Sequence, residues 1–205
     1  MAITFSSSDI ESLERFYRVN LIHSLAGYKS PFLIGSMGEY PNLAIFSSVF
    51  HLGSDPPLLG IKFRPINDNK HTYRNLKAKG SITINTIDKE IYPQGHLTSA
   101  RLEDGHSEFE FSGLGLEYRD FSIVPFVKQS NIKILADYKE EHRIQSNNTI
   151  IVVVEIKWIE ILKVEIDQNG VVPLDQLDLM VVNGLYNYYL PSKVDTLKYV
   201  SKPKQ

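Results

Sequence analysis

The sequence predicts a mainly β protein: a closed or partly open β-barrel with flanking helices, in a single domain of residues 1–205. Two apolar runs, residues 44–50 and 58–63, have the length of buried strands and are bounded by Pro, Gly, Asn or Asp. The last third is rich in strand-forming residues, above all residues 149–166, where Ile and Val dominate. Many short strands with few long helices are typical of a barrel in a chain of 205 residues.

One helix is predicted before the strands, over residues 8–25 of an N-terminal segment 1–28. Apolar side chains recur there at spacings of three and four and line one face of the helix. They are Ile10, Leu13, Phe16, Tyr17, Leu21 and Leu25. Ser8 and Glu11 have the capping-box spacing, and Gly27 ends the helix. We expect this apolar face to lie across the outside of the sheet.

The first strands are predicted over residues 32–36, 42–50 and 58–63. Asp55-Pro56-Pro57 predicts a turn, because proline donates no amide and restricts the residue before it. Residues 72–79 predict a helix that Thr72 caps and Gly80 ends, and the next strand follows it.

The second half of the chain is less regular. Residues 92–118 predict an irregular excursion with a helical turn over residues 107–112. A straight strand over residues 149–166 would extend about 55 Å, so it must bend or bulge, and the apolar phase shifts at Trp158. Residues 198–205 predict a loose tail.

Composition excludes several classes of function. A formal charge of −2 and an isoelectric point of about 6.3 give no long-range basic field for nucleic acid or anionic lipid. Without cysteine there is no disulfide, thiolate nucleophile or Cys-ligated metal. The most apolar run, residues 150–154, is far shorter than the roughly 20 residues of a membrane helix, and no signal-peptide pattern is seen. We therefore expect a cytoplasmic protein that binds neither nucleic acid nor membrane.

No side chain is predicted to be catalytic or to bind a metal. The six histidines show no HxxxH or HxH spacing. The sequence has no GxSxG elbow, no P-loop and no GxGxxG dinucleotide fingerprint. Any nicotinamide nucleotide would therefore bind transiently.

Polar side chains lie inside or just beyond the apolar runs, where a strand pair that only fills a core would not need them. They are Asn42, Ser47, Ser48, Arg64, Thr72 and Asn75. An arginine fork and a helix N-terminus suit a phosphate, whereas backbone amides between apolar flanks suit a flavin ring. One interpretation is thus a flavin mononucleotide (FMN) site. The alternative is that the serines bond locally, Thr72 only caps its helix and Arg64 is a solvated charge.

The string PNLAIFSSVF…DPPLLGIKFRP…HTYRNLKAKGSITIN resembles the FMN-binding split-barrel flavin reductase family. That family has an Asn-Leu-Ala strand ending in a Ser-containing segment, an Asp-Pro-Pro turn, an apolar strand, a Thr-x-x-Asn helix start and a strand ending in Asn. All occur here in that order, and PQGHLTSA…SEFEFSGL is similar to the family's excursion. The resemblance spans residues 30–165 and is most specific over residues 41–85.

This resemblance implies a homodimer with FMN, or FAD as an alternative, near the subunit interface. NADH or NADPH would deliver hydride, and the electrons would pass to a small acceptor, with a partner monooxygenase as a possible user. The ring and ribityl chain would contact Asn42, Ser47, Ser48, Val49 and Phe50. The phosphate would approach Arg64, Thr72 and Asn75, with Lys70 as a weaker candidate.

Three functions stay open. Many members of that family carry a late histidine near the nicotinamide pocket, whereas the last histidine here is His142 and the segment NGLYNYYLP offers tyrosines. The chain is expected to be an NAD(P)H-dependent flavin oxidoreductase. The alternatives are a non-enzymatic flavin-binding electron carrier and a binding module that holds no flavin.

Overall fold

The computed structural model describes residues 2–65, 70–103, 105–198 and 200. Strands are the main elements of the chain. They are β1 Phe32–Met37, β2 Pro41–Phe46, β3 Val49–Ser54, β4 Pro57–Phe63, β5 Ser81–Thr86, β6 Leu116–Arg119, β7 Ser122–Val127, β8 Ile132–Arg143, β9 Ile150–Ile161, β10 Val181–Asn183 and β11 Asn187–Tyr189. Seven of them form one sheet in the order β2-β1-β5-β8-β9-β4-β3, in which all neighbours are antiparallel.

This sheet must curl into a barrel. Strands β2 and β3 lie at opposite edges, yet only Ser47 and Ser48 join them. In a flat sheet the two edges would be about 29 Å apart, since neighbouring strands are about 4.8 Å apart. Three Cα–Cα steps from Phe46 to Val49 reach at most about 11 Å. The two edges therefore meet at Ser47 and Ser48, and the predicted mainly β barrel is confirmed.

Both faces of strand β1 are buried, in two different cores. One core joins five strands and a helix and fills the barrel interior: Ile34, Ile61, Phe63, Leu76, Ile82, Ile84, Ala136, Ile150, Val152 and Val154. The other lies on the outer face and packs the excursion against the sheet: Leu33, Leu43, Ile87, Ile91, Phe109, Leu114 and Val127. Because neighbours on a strand point to opposite faces, Leu33 and Ile34 divide between the two cores.

The hairpin of β6 and β7 covers the outer face of β1 and β5. Thr83 Oγ1 donates to Pro125 O at 2.6 Å, and Val127 N donates to Asn85 Oδ1 at 3.1 Å. A Cβ on Gly35 would lie 2.3 Å from Pro125 O, so glycine is required for this close approach.

The helices are α1 Ser7–Ser12, α2 Arg15–Leu25, α3 His71–Lys79, α4 Tyr92–Leu97 and α5 Glu108–Ser112, with a 3₁₀ turn at Leu174–Leu177. The helix predicted over residues 8–25 is therefore two helices, and the prediction was wrong. The capping box of α1 is formed by Ser6 and Asp9 rather than by Ser8 and Glu11. Neither α1 nor α2 has a buried residue, so the expected packing of this segment across the sheet is not found.

The strand predicted over residues 42–50 is also two elements, β2 and β3. The chain leaves one sheet edge and enters the other at Ser47, so pairing breaks there although serine itself is compatible with a strand. Helix α3 begins one residue earlier than predicted. Its N-cap is Lys70, and Thr72 is a buried residue of its first turn.

Other predictions are confirmed. The pairing of β8 with β9 shifts between Leu135–Trp158 and Ala136–Ile156, a bulge beside the predicted phase change. Ser107 caps α5 within the excursion of residues 92–118. The predicted tail, residues 198–205, lies almost entirely outside the described residues.

Candidate functional site

Three of the predicted site residues share one buried hydrogen-bond network with Ser36. Asn42 Nδ2 donates to Ser36 Oγ at 2.9 Å and to Thr72 Oγ1 at 3.1 Å. In the amide orientation that satisfies both ends of the Asn75 side chain, its Oδ1 accepts from Ser36 Oγ at 3.2 Å and from Gly38 N at 3.3 Å. The network therefore fixes the first turns of α3 against β1 and β2.

Ser48 bonds locally to β4. Its Oγ donates to Lys62 O at 2.9 Å, and Lys62 N donates to Ser48 O at 3.0 Å. Because backbone groups alternate in direction along an antiparallel strand, the next residue, Val49, directs its N–H and C=O away from β4. Strand β3 is a sheet edge, so an acceptor can reach the Val49 amide there.

Phe50 lies flat on the sheet rather than in a closed pocket. It is paired with Gly60, and a Cβ on Gly60 would lie 2.5 Å from the Phe50 ring. Phe50 remains 39% exposed. Glycine at position 60 thus lets an aromatic ring cover the strand at the barrel edge.

Arg64 directly follows β4 and is exposed. Its neighbours Ile61 and Phe63 are buried, so Lys62 projects to the same exposed side as Arg64. At the start of α3, burial lowers the pKa of Lys70, and the nearby charges of Arg101 and Arg64 lower it further. The end of β4 and the beginning of α3 therefore present their cations to one region.

A second group of basic residues continues this region toward α2. Lys29 Nζ donates to His23 O at 2.7 Å and to Gly27 O at 3.4 Å. Burial lowers the pKa of Lys29, and so does the charge of Lys62. Burial is also the main cause that lowers the pKa of His23, and the charges of Lys29, Lys62 and Arg64 lower it further. A backbone hydrogen bond with Gly184 acts in the opposite direction and raises that pKa.

We call the set Lys29, Lys62, Arg64, Lys70 and Arg101 the basic strip. Among the described residues, none of the five is ion-paired with a carboxylate. The charge of Lys62 lowers the pKa of Lys29, and the charges of Arg101 and Arg64 lower that of Lys70. Sequence reasoning identified Arg64 and Lys70 but missed Lys29, Lys62 and Arg101. Lys62 alone had a signal, since it lies two positions before Arg64 in a predicted strand.

Three aromatic rings join the separate stretches that carry the predicted site. Phe46 and Phe63 meet edge to face with centroids 5.1 Å apart, and Phe63 meets Tyr73 in the same way at 5.6 Å. Each ring is the chain neighbour of a predicted site residue: Ser47, Arg64 and Thr72. The end of β2, the end of β4 and the start of α3 therefore converge.

A cleft of about 560 Å³ lies beside the buried network. Arg74, Lys79 and Glu39 line it together with Asn42 and Asn75. The other predicted residues, Ser47, Ser48, Val49, Phe50, Arg64 and Thr72, do not line this cleft. None of the five residues of the basic strip lines it, so it offers a competing place for an anionic ligand.

Two other kinds of feature are missing from the described part of the chain. No group of three or more His, Asp or Glu side chains is arranged to hold a metal ion there. None of the helices in that part has the length and apolar content to cross a membrane.

Comparison with known proteins identifies the family. A crystal structure described as a flavin reductase with a split barrel domain, from Shewanella frigidimarina, is 37% identical with a TM-score of 0.93, over 97% of this chain and 100% of that chain. Nitrilotriacetate monooxygenase component B from Bacillus cereus is 17% identical with a TM-score of 0.83, over 96% and 99%. Flavoredoxin of Desulfovibrio vulgaris is 15% identical with a TM-score of 0.72, over 96% and 98%.

The two more distant structures share the fold, and a search of curated proteins gave no significant match. The sequence itself matches the flavin reductase like domain over residues 25–175. That match covers well over half of the 205 residues, including the barrel, the excursion and the start of α3. The chain therefore belongs to the flavin reductase-like family and has its split-barrel fold.

Proposed function

We propose that this chain binds FMN and catalyses hydride transfer from NADH or NADPH to a free flavin or another small acceptor. One observation carries the proposal: Arg64 at the end of β4, the start of α3 and the junction between β2 and β3 converge around Phe63. A phosphorylated ligand with a flat ring needs those three features together. Family membership supports the involvement of a flavin.

The phosphate end of FMN fits the cations at the start of α3. Arg64 and Lys70 supply charge, and neither has a carboxylate partner among the described residues. The N-terminus of α3 follows Lys70, and the N-terminal end of a helix favours a bound anion. Thr72 and Asn75 would act chiefly by holding α3 in position, since their side chains already bond within the buried network.

The isoalloxazine ring of FMN fits the edge of β3. The Val49 amide faces away from β4 and can donate to the polar rim of the ring, and Phe50 offers an apolar flank. Ser47 is half-buried at the junction of the two edges. When bound, the flavin supplies the redox chemistry by accepting a hydride and releasing the electrons to the acceptor. The protein binds and orients, and no side-chain acid or base is assigned.

FAD is the alternative cofactor, since it carries the same ring and a phosphate at the same position. A monooxygenase component is a candidate user of the reduced flavin. The structural likeness to nitrilotriacetate monooxygenase component B supports this suggestion through the fold alone.

We further propose that the protein is a homodimer. Helix α2 has no buried residue, and its apolar side chains Phe16, Tyr17 and Leu25 are 66%, 56% and 76% exposed. A second copy would bury this face, which solvent would otherwise wet. Light scattering on the eluting protein should give twice the mass of 23.4 kDa. A monomer mass at micromolar concentration would reject the dimer.

Anaerobic mixing of FMN-loaded protein with NADH or NADPH tests the enzyme function. Rapid loss of the oxidised flavin absorption band with at least one nucleotide is expected. If FMN binds but neither nucleotide bleaches it, the electron-carrier alternative is correct. If the protein does not quench the fluorescence of added FMN, the binding module without flavin is correct.

A further inference from the structure

We propose that the cleft beside α3 binds a carboxylate that carries an apolar body, at a site separate from that of the flavin. The cleft of about 560 Å³ adjoins a smaller space of about 270 Å³, since Tyr40, Pro41 and Gly105 line both. We call the smaller space the annex. Neither space is lined by the residues proposed to bind FMN directly, which are Arg64, Lys70, Val49 and Phe50.

One side of helix α3 forms a wall of the cleft and carries two cations. Asn75 and Lys79 are four positions apart and Arg74 is adjacent to Asn75, so the three share that side of the helix. Among the described residues, neither Arg74 nor Lys79 is ion-paired with a carboxylate, whereas Lys77, on another side of α3, pairs with Glu141 at 3.3 Å. The two cations that line the cleft are therefore open to an anion from solvent.

The charge of the cleft suits a single carboxylate. Glu39, in the turn between β1 and β2, brings one negative charge to the same cleft. With His71 and His106 counted as neutral, the described lining residues carry a net charge of +1, from Arg74, Lys79 and Glu39. A phosphate, with close to two negative charges, would exceed that charge. A carboxylate matches it and also fits the planar fork of an arginine.

The annex suits an uncharged, apolar body. Its wall includes Phe109 and Leu114, which are buried side chains of the outer core. The hydroxyl of Ser107 in this wall already donates to Pro41 O at 2.7 Å. Glu110 also lines the annex, and its charge disfavours a second carboxylate there. An apolar group that leaves water for this space would add to the affinity.

The walls of the cleft are fixed before a ligand arrives. A Cβ on Gly38 would lie 2.6 Å from the Asn75 amide group, so the turn between β1 and β2 packs directly on α3. On the other side, Glu108 of α5 accepts from Leu43 N of β2 at 3.1 Å, which holds the excursion against the strand. A site with fixed walls loses less conformational freedom on binding than a flexible one.

Calorimetric titration of the whole chain with 2-naphthoate tests the site. Acetate has the same charge without the apolar body, and 2-naphthamide has the body without the charge. We expect 2-naphthoate to bind wild type, and each of the other two to bind about tenfold more weakly or less. Saturation of the protein with FMN should leave the affinity for 2-naphthoate unchanged.

Three variants locate the bound carboxylate. Arg74→Gln should weaken 2-naphthoate about tenfold, as for the loss of one charge-assisted bond. Glu39→Gln should have the opposite effect and tighten binding about threefold, because a like charge is removed from the cleft. Arg143→Gln is the matched control, since Arg143 is an exposed arginine at the end of β8 that does not line the cleft, and its affinity should equal that of wild type.

The proposal is overturned if wild type does not bind 2-naphthoate or binds 2-naphthamide equally well. Equal affinities of wild type, Arg74→Gln and Glu39→Gln would also overturn it, and so would displacement of 2-naphthoate by FMN. Failure of the proposed function is recognised separately. In that case wild type would not bind FMN, whereas the titrations with 2-naphthoate would still report on Arg74 and Glu39.

Discussion

Phe63 and Tyr73 meet edge to face with ring centroids 5.6 Å apart, which ties the end of β4 to the first turn of α3. The hydroxyl of Tyr73 in turn donates to Glu141 of β8, at 3.0 and 2.9 Å. Arg64 and Thr72 flank these two rings. The position of the proposed phosphate site is therefore set by this aromatic contact in the barrel core together with the buried polar network around Thr72.

Replacing Arg64 by Ala should weaken FMN binding by about 1.5–3 kcal/mol, the value of a hydrogen bond to a charged group. Quenching of flavin fluorescence measures the dissociation constant. Arg74→Ala is the matched control, because Arg74 is an exposed arginine of α3 that lines the cleft instead. An unchanged affinity in Arg64→Ala, or a larger loss in Arg74→Ala, would remove Arg64 from the site.

Asn42→Ala should destabilise the fold by about 1–3 kcal/mol, because the buried hydroxyls of Ser36 and Thr72 lose their donor. Urea unfolding gives the difference in free energy. Asn187→Ala, at an exposed position of β11, should stay within about 0.5 kcal/mol of wild type. If Asn42→Ala unfolds like wild type but loses FMN affinity, Asn42 contacts the ligand rather than holding α3.

Tyr73→Phe separates the hydroxyl from the ring. It keeps the contact with Phe63 but loses the bond to Glu141, so we expect about 1 kcal/mol less stability and little change in FMN affinity. Tyr73→Ala also loses the ring contact, and its free energy of unfolding should be about 3 kcal/mol lower than that of wild type. Tyr73→Ala should also weaken FMN binding, because the start of α3 loses its contact with Phe63. Equal FMN affinity in the two variants would contradict the positioning role of the ring.

Stability should fall as the pH is lowered below about 6.5, through His23. Burial and the charges of Lys29 and Lys62 lower its pKa from 6.5 in the folded protein. The unfolded chain therefore takes up a proton first, which favours unfolding. The His23 contribution is complete above pH 6.5 and is lost as the pH falls through the folded pKa. Unfolding free energies from pH 7.5 to 5 should drop less in His23→Asn and in Lys62→Gln than in wild type. Curves of unfolding free energy against pH that run parallel in wild type and both variants would contradict this prediction.

Local patterns were sufficient to predict most strands and α3. The turn at Asp55-Pro56-Pro57 and the end of α3 at Gly80 follow from backbone restrictions of the residues themselves. The bulge beside Trp158 follows from the side-chain period of a strand. Each of these signals lies within a few residues of the feature that it predicts.

Features set by distant contacts were not predictable in this way. Nothing local distinguishes Ser47 and Ser48 from strand residues, yet they join opposite sheet edges. Thr72 has the residue type of a helix cap, but its hydroxyl accepts from Asn42 in the core. Lys29, Lys62 and Arg101 come from three separate segments, and no local pattern relates them to Arg64 and Lys70.

A crystal structure of the FMN complex tests the central claim most directly. We predict the phosphate within hydrogen-bond distance of Arg64 and the amides at the start of α3, and the ring against Val49 and Phe50 on the edge of β3. FMN bound in the cleft lined by Arg74 and Lys79, with Arg64 untouched, would contradict it.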